Sequence, residues 1–378
     1  MKQRCFSLLL VYSFWSCDGT PLNDQIPTLL ELSLVDSVEI KESHGFLSRP
    51  SNSVLINDSL LGIESFSNKA IWIIDTKTGK EVSSILSGEE KGINFRPTKV
   101  IWNDFPIVYL LDGTTQKIHI FNLSKSAVKG DKHIKTISLE TPNNLRIKPM
   151  LLGLFSKYQD KFYIEHSTNE VPFSSNKFYT LTDKLIGIYD ENGKFLENIY
   201  DFPYQLKNLQ KFIAPGKIFN SGISKAGELL ISFSFTKMIT KTRLSSSQKI
   251  IDSIPLPISK YFLYDIPYLE QEIDNTPGTP KNYPTPNYFG DIFVDSENII
   301  YQTFIKDQTQ PEIKKIYSNV MKYDFNKSQW YETNLLYDFI DLGFLAGASA
   351  DTLYFVEAST IRKDQKHIKR AILINHNR

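Results

Sequence analysis

Four basic residues recur at one place in a repeating pattern. Arg49 precedes Pro50, Arg96 precedes Pro97, Lys148 precedes Pro149, and Lys217 follows Pro215. Each stands just ahead of an apolar, strand-like run. Proline fixes its own φ and biases the residue before it towards extended backbone. If the runs that follow share a centre, the four cations form an arc of positive charge around its mouth. Converging cations in a concave, partly desolvated place favour an anionic group, and arginine can grip a carboxylate bidentately. The matching places further along carry Asn287 and Asp341, so the arc covers only part of the circle. The competing reading is that these residues are solvated loop charges, or that they pair with strand-turn acids to hold adjacent blades together.

Other chemistry is weakly signalled. The histidines are His44, His119, His133, His166, His367 and His376, and none has metal-ligand spacing. There is no Gly-x-Ser-x-Gly elbow and no phosphate-cradling glycine loop. Carboxylates are numerous, so a pair for sugar hydrolysis stays open, but nothing in the linear order selects one. We therefore assign no catalytic residue, no metal and no cofactor. A long Pro- and Tyr-rich insertion between residues 261 and 289 is a candidate recognition surface, with Tyr268, Tyr283 and Tyr288 placed to stack on a sugar ring or a partner. The alternative is a loop that folds back over a sheet edge.

The elements that would position these groups are short strands. One unit recurs six times: a small or apolar strand, a polar turn, then a second strand rich in aliphatic and aromatic residues. Its copies are residues 53–63, 99–111, 151–164, 220–232, 289–301 and 344–356. Taking Leu60, Ile107, Phe162, Leu229, Ile299 and Leu353 as equivalent, the spacings are 47, 55, 67, 70 and 54 residues. These suit propeller blades of about 40 to 50 residues with some long loops. Several units run on into a second hairpin, as in Ile71–Lys80 and Leu185–Lys194, where Asp75 and Asp190 open the turn and glycine supplies positive φ. The pattern predicts an all-β six-bladed β-propeller with four-stranded antiparallel blades. Gly153, Gly222, Gly290, Ala346 and Gly347 fall on the expected innermost strands, and residues 31–40 are expected to pair with the last blade and close the ring. Such a self-closing ring is expected to stand as a monomer.

Composition bounds the class. The chain has 378 residues, with 43 basic against 42 acidic, which leaves no polybasic field for nucleic acid. Both cysteines, Cys5 and Cys17, lie in the first 17 residues. Lys2 and Arg4 open that stretch, an apolar run follows to Trp15, and Ser16 precedes Cys17. This is the layout of a secretory signal peptide, and the apolar run is about half the roughly 20 residues that span a bilayer. A cysteine directly after the small residue fits a bacterial lipoprotein signal, cut before Cys17 with lipid added there. The reading is residues 1–16 as signal peptide, 17–30 as a lipidated tether, and 31–378 as the propeller. The membrane is then a partner through the N-terminal lipid.

Leader and repeat together resemble a family of uncharacterised bacterial lipoproteins predicted to be six-bladed β-propellers. The resemblance covers the leader and the repeat from about residue 31 onward. It implies a ring fold and a lipid-anchored place in the cell envelope, at the outer membrane, facing the periplasm or the cell surface. It carries over no catalytic residue. Two functions remain in view: a non-enzymatic scaffold presenting the channel mouth and tyrosine loop to a glycan, peptide or protein, and a glycan hydrolase or lyase with carboxylates in the funnel. Propellers host both.

Overall fold

The computed structural model describes residues 25–376 except 42–51, 125–129, 150–151, 173–174, 208–211, 214–218, 225, 245–249, 265, 267, 270–286, 307–314 and 358–365. Cys17, Arg49, Lys217 and Tyr283 lie outside the described residues. The chain opens with a long strand, β1 (Thr28–Glu39). A first sheet follows, β2 (Asn52–Asn57), β3 (Leu60–Ser65), β4 (Ala70–Asp75) and β5 (Glu81–Leu86). The second is β6 (Lys99–Ile101), β7 (Ile107–Asp112), β8 (Lys117–Asn122) and β9 (His133–Ser138). The third holds five strands, β10 (Leu145–Ile147), β11 (Phe155–Tyr158), β12 (Lys161–Thr168), β13 (Lys184–Asp190) and β14 (Phe195–Asp201). After β15 (Phe212–Ile213) comes the fourth sheet, β16 (Phe219–Ile223), β17 (Glu228–Phe233), β18 (Met238–Arg243) and β19 (Ile250–Pro255), then β20 (Tyr268–Leu269), which pairs with β15. The remaining strands are β21 (Tyr288–Phe289), β22 (Phe293–Val294), β23 (Asn298–Lys306), β24 (Ile316–Asp324), β25 (Gln329–Thr333), β26 (Tyr337–Asp338), β27 (Phe344–Ser349), β28 (Thr352–Val356) and β29 (His367–Ile374). Together with β1 they form one ten-stranded sheet.

Each repeated unit read from the sequence is an antiparallel pair here: β2–β3, β6–β7, β11–β12, β16–β17, β22–β23 and β27–β28. The turns have the expected chemistry. Asp75 Oδ1 accepts from the backbone N–H of Lys77 and Thr78 at 3.1 and 2.8 Å, and Asp190 Oδ1 accepts from Asn192 and Lys194 at 2.9 Å each. Gly193 then takes φ +87°, which an L side chain rarely adopts. These carboxylates are turn formers, and no calcium loop is built on them.

The ends of the chain share one sheet. Residues Glu31–Glu39 of β1 run antiparallel to β29, while Thr28–Leu30 pair in parallel with Tyr331–Thr333 of β25. This strand joins what would otherwise be two sheets, the β21–β26 group and the β27–β29 group. It also starts at Thr28, so its first three residues fall inside the stretch read as tether. Beyond β1, the Lys41 N–H reaches Gly79 O of the first sheet at 2.7 Å.

The core is divided into clusters, each filling the space between consecutive sheets. Ile71, Phe95, Val100 and Val108 lie between the first and second, and Leu111, Ile118, Phe162 and Ile164 between the second and third. Ile186, Phe202, Leu229 and Phe233 lie between the third and fourth. Leu61, Trp72, Ala346, Tyr354 and Ile368 bring the last hairpin against the first sheet. Consecutive sheets thus form a ring, an all-β, propeller-like fold. Trp72, Trp102 and Trp330 are buried in these layers. Inner strands approach closely: a Cβ on Gly222 would sit 2.6 Å from Ile292 O, and one on Gly153 would strike the Phe219 ring. At the seam, Gly347 has φ +148°, and its Cβ would lie 2.9 Å from Leu55 Cβ.

That seam gives a test. Gly347→Val combines a disfavoured backbone with overpacking, so it should cost about 2–4 kcal/mol, read as a clear drop in thermal midpoint. Leu34→Ser, at an exposed position of the same sheet, should stay within about 0.5 kcal/mol of the parent.

Candidate functional site in the central channel

Each unit begins with its inner strand, and residues of β2, β6, β11, β16, β22 and β27, with the segments leading into β11 and β22, face one axis. They enclose a cavity of about 370 Å³. Its wall mixes apolar or small residues, among them Leu55, Ile101, Phe155, Ile292 and Gly347, with the polar Asn103, Ser156 and Ser221. One ion pair crosses it. Lys99 Nζ, at the start of β6, lies 3.3 Å from Asp291 Oδ2 and 3.5 Å from Gly153 O, with the two side chains only 15% and 20% exposed. The other lining carboxylate, Asp295, opens a turn and accepts from the N–H of Glu297 and Asn298 at 2.7 and 2.6 Å.

The described members of the expected cationic arc have their own partners. Lys148 is ion-paired with Glu165, a fully buried carboxylate that also accepts from the Gly153 N–H at 2.5 Å. Glu165 lies within β12 of the same sheet, so this pair ties a strand entry to its own sheet rather than to the next one. The Arg96 guanidinium lies 5.0 Å over the Phe66 ring, while its backbone N–H donates to Asp112 Oδ2 at 3.1 Å. Neither residue lines the cavity. The cation that does, Lys99, stands two residues beyond Pro97. Its only sequence signal was its place as first residue of the second repeat.

A second carboxylate bears on the site from behind the wall. Glu64, near the end of β3, is fully buried between the first and second sheets. Its Oε1 accepts from Trp102 Nε1 at 3.2 Å and Asn52 Nδ2 at 3.4 Å, while Oε2 has no partner. Burial pushes its carboxyl up to about 7, against the pull of Lys99 and the Trp102 hydrogen bond. Trp102 reaches this place because Gly62 leaves room: a Cβ there would lie 2.6 Å from the indole. Two histidines are also packed inside sheets and held mainly neutral by burial. His119 and His166 are each lowered to about 4, and the His166 ring contacts Tyr189 Oη at 2.6 Å and Asn198 Oδ1 at 3.0 Å.

Of the tyrosines, Tyr268 is exposed on β20, and Tyr288 on β21 stacks on Phe304 with ring centres 4.6 Å apart and planes at 13°. Both flank the insertion, whose middle lies outside the described residues. A larger groove of about 590 Å³ opens between the β23–β24 and β27–β28 hairpins. Of its four lining carboxylates, Asp295 serves the turn above and Asp324 pairs with Lys327 at 3.1 Å, while Glu297 and Asp351 also face the groove. Among the described residues, no three His, Cys, Asp or Glu side chains converge as a metal site.

Glu64 sets a pH signature. Below its ordinary value near 4.5 both folded and unfolded states hold the proton. Between 4.5 and about 7 the unfolded chain releases it and the folded one does not, so stability falls as pH rises and then levels. The span corresponds to roughly 3–4 kcal/mol at most. Urea unfolding of the parent should show this decline between pH 5 and 8, and Glu64→Gln should remove it and be the more stable protein at pH 8. Parallel pH profiles for the two would refute the assignment.

No family model matches the chain, and no curated protein matches its sequence. Among solved structures, a protein described as exported, from Bacteroides fragilis NCTC 9343, has a similar fold: TM-score 0.54 at 11% identity, covering 91% of this chain and 96% of that one. A streptogramin B lyase gives TM-score 0.44 at 11% identity, covering 90% and 98%. A protein of unknown function from Bacteroides caccae gives 0.43 at 10%, covering 85% and 98%. At these identities the likeness concerns the fold alone.

Proposed function

We propose that the chain is a six-bladed β-propeller of the bacterial cell envelope, anchored by lipid on Cys17, and that it works as a binding scaffold. The ten-stranded sheet counts as two blades, with β1 serving as the outer strand of the last. The signal-like leader, closing on Ser16 and Cys17, supports export and lipidation. The similar fold of a Bacteroides fragilis protein described as exported is in keeping with this place.

The observation that carries the scaffold reading is the channel wall. A glycan hydrolase needs two carboxylates facing a bond across about 5–9.5 Å. The two carboxylates in the described lining are already used, Asp291 by Lys99 and Asp295 by a turn. The rest of the wall mixes apolar surface with the polar groups of Asn103, Ser156 and Ser221, which suits holding the face and hydroxyls of a sugar or a mixed side chain. The strand-entry residues Arg49, Arg96, Lys148 and Lys217 belong to this proposal as the rim that would meet an anionic group on the ligand. Among the described pair Arg96 is the stronger candidate, since Lys148 is neutralised by Glu165. Tyr268, Tyr283 and Tyr288 would supply the stacking surface.

Two measurements test the proposal. Cys17→Ser should release a folded protein from the detergent-extracted membrane fraction into the soluble one, and continued membrane association would remove the anchor. Soluble protein carrying that change should bind members of a glycan and peptide array at micromolar strength without altering their mass. Ala348→Trp, which fills the channel, should weaken the best of these at least tenfold, and Arg96→Ala should weaken anionic ones more than neutral ones. Cleavage of a bound glycan would make the protein an enzyme instead.

A further inference from the structure

Large apolar side chains exposed on a folded surface need no explanation when they are scattered singly. One group in this protein is not scattered. Ile26 is 82% exposed and Leu335 57%, and Leu29, Ile258 and Leu263 are exposed as well. Hydrogen bonds lace their three segments together. The Ile258 N–H donates to Gln25 O at 3.0 Å, and the Asn334 N–H donates to Leu30 O at 2.7 Å. Leu29 lies opposite Glu332 in the parallel pairing of β1 with β25. Buried Glu332 accepts from Ser259 Oγ at 2.5 Å and from the Lys260 N–H at 2.9 Å, and Tyr261 donates its hydroxyl to Asn334 O. The apolar side chains therefore sit on a prebuilt edge at the outside of the ring. At that edge Lys260 lies 4.9 Å over the Tyr261 ring, a cation and an amphipathic aromatic of the kind that suit the headgroup layer.

We infer that this edge rests on the lipid bilayer. The inference rests on the reading of Cys17 as the lipid anchor. Gln25 lies eight residue steps after Cys17, with seven residues between them. Even fully extended those steps reach about 26–29 Å, and as a flexible chain about 15 Å. The acyl group thus holds the protein by the very place where the apolar edge lies. The tail supplies attachment, and the edge adds apolar burial that selects one orientation. The ring then stands on its outer rim, and both mouths of the channel face along the membrane rather than into it. A membrane, not a protein, is the occupant that the short tether brings to this edge.

The test uses the lipidated, full-length protein in vesicles of phosphatidylethanolamine and phosphatidylglycerol. A fluorophore is placed at Ile258→Cys, at Leu335→Cys, or at Ile134→Cys, an exposed reference on β9. Lipid-borne quenchers should quench the first two at least threefold more than the third. Equal quenching at all three, with the protein still floating with the vesicles, would overturn the edge and leave the anchor intact. Failure to float, together with a Cys17 thiol that reacts with maleimide, would overturn the anchor and the inference with it. Probe shielding at 258 and 335 without lipid quenching, accompanied by a doubled mass in analytical ultracentrifugation, would assign the edge to a second copy and reject the bilayer.

Discussion

The structure depends on the pairing of its two ends. A ring of sheets has a seam, and an unsealed seam exposes two sheet edges and two apolar faces. Here β1 seals it by backbone hydrogen bonds along β29, with Asp36 and Arg370 meeting through both guanidinium and carboxylate atoms on the same ladder. The partners are more than 300 residues apart in sequence, so closure is a long-range contact formed against chain entropy. What offsets that cost is burial on both sides of the seam: Leu32, Leu345 and Phe355 on one, Ile40, Ala346 and Ile368 on the other. No disulfide is involved in this seam. The same strand bonds to β25, which is why two groups of strands merge into one sheet of ten.

Buried carboxylates are the second organising device, and they work in different ways. Glu165 ties its own strand entry through Lys148 and the Gly153 N–H. Glu332 gathers Ser259, Lys260 and Asn319. Glu357, beside the seam, pairs with Lys369 at 3.0 Å and His367 at 3.1 Å, and these hydrogen bonds hold its carboxyl below the usual range despite burial. Glu64 differs, because one of its oxygens is left without a partner and burial wins. A carboxylate that keeps hydrogen bonds on both oxygens holds a fold together, whereas a half-satisfied one is a liability. Lys99 of the channel wall pulls the Glu64 carboxyl down, but not enough to offset burial.

The local signals in the sequence translated directly. Asp75 and Asp190 made the expected turns, each of the six repeated units became an antiparallel pair, and residues 31–39 went to the last hairpin, because these outcomes rest on neighbours in sequence or on strong burial. The site was less legible. The basic residues before the inner strands share a sequence position, yet a side chain's direction depends on the twist of the loop it leaves. Lys148 found Glu165, 17 residues on, and Arg96 found Phe66. The ion pair that does cross the channel joins residues 192 apart, Lys99 and Asp291, and no periodicity in the sequence links them. The parallel contact of Thr28–Leu30 with β25 was equally hidden, since those residues read as a polar, Pro-flanked tether.

Where the tether ends and where the ring closes turn out to be one place. The strand that seals the seam begins at Thr28, so under the proposed anchoring on Cys17 a pull on the chain ahead of it would be delivered to the β1–β25 and β1–β29 ladders. A load along β1 acts on many hydrogen bonds together in the antiparallel ladder, backed by the Asp36–Arg370 pair. Under the proposed anchoring on Cys17, β1 would give the protein a mounting held by two ladders at once. The channel, formed by strands on the inner side of every sheet, is then separated from the mounting by the full depth of a sheet. Attachment and ligand contact can therefore vary independently.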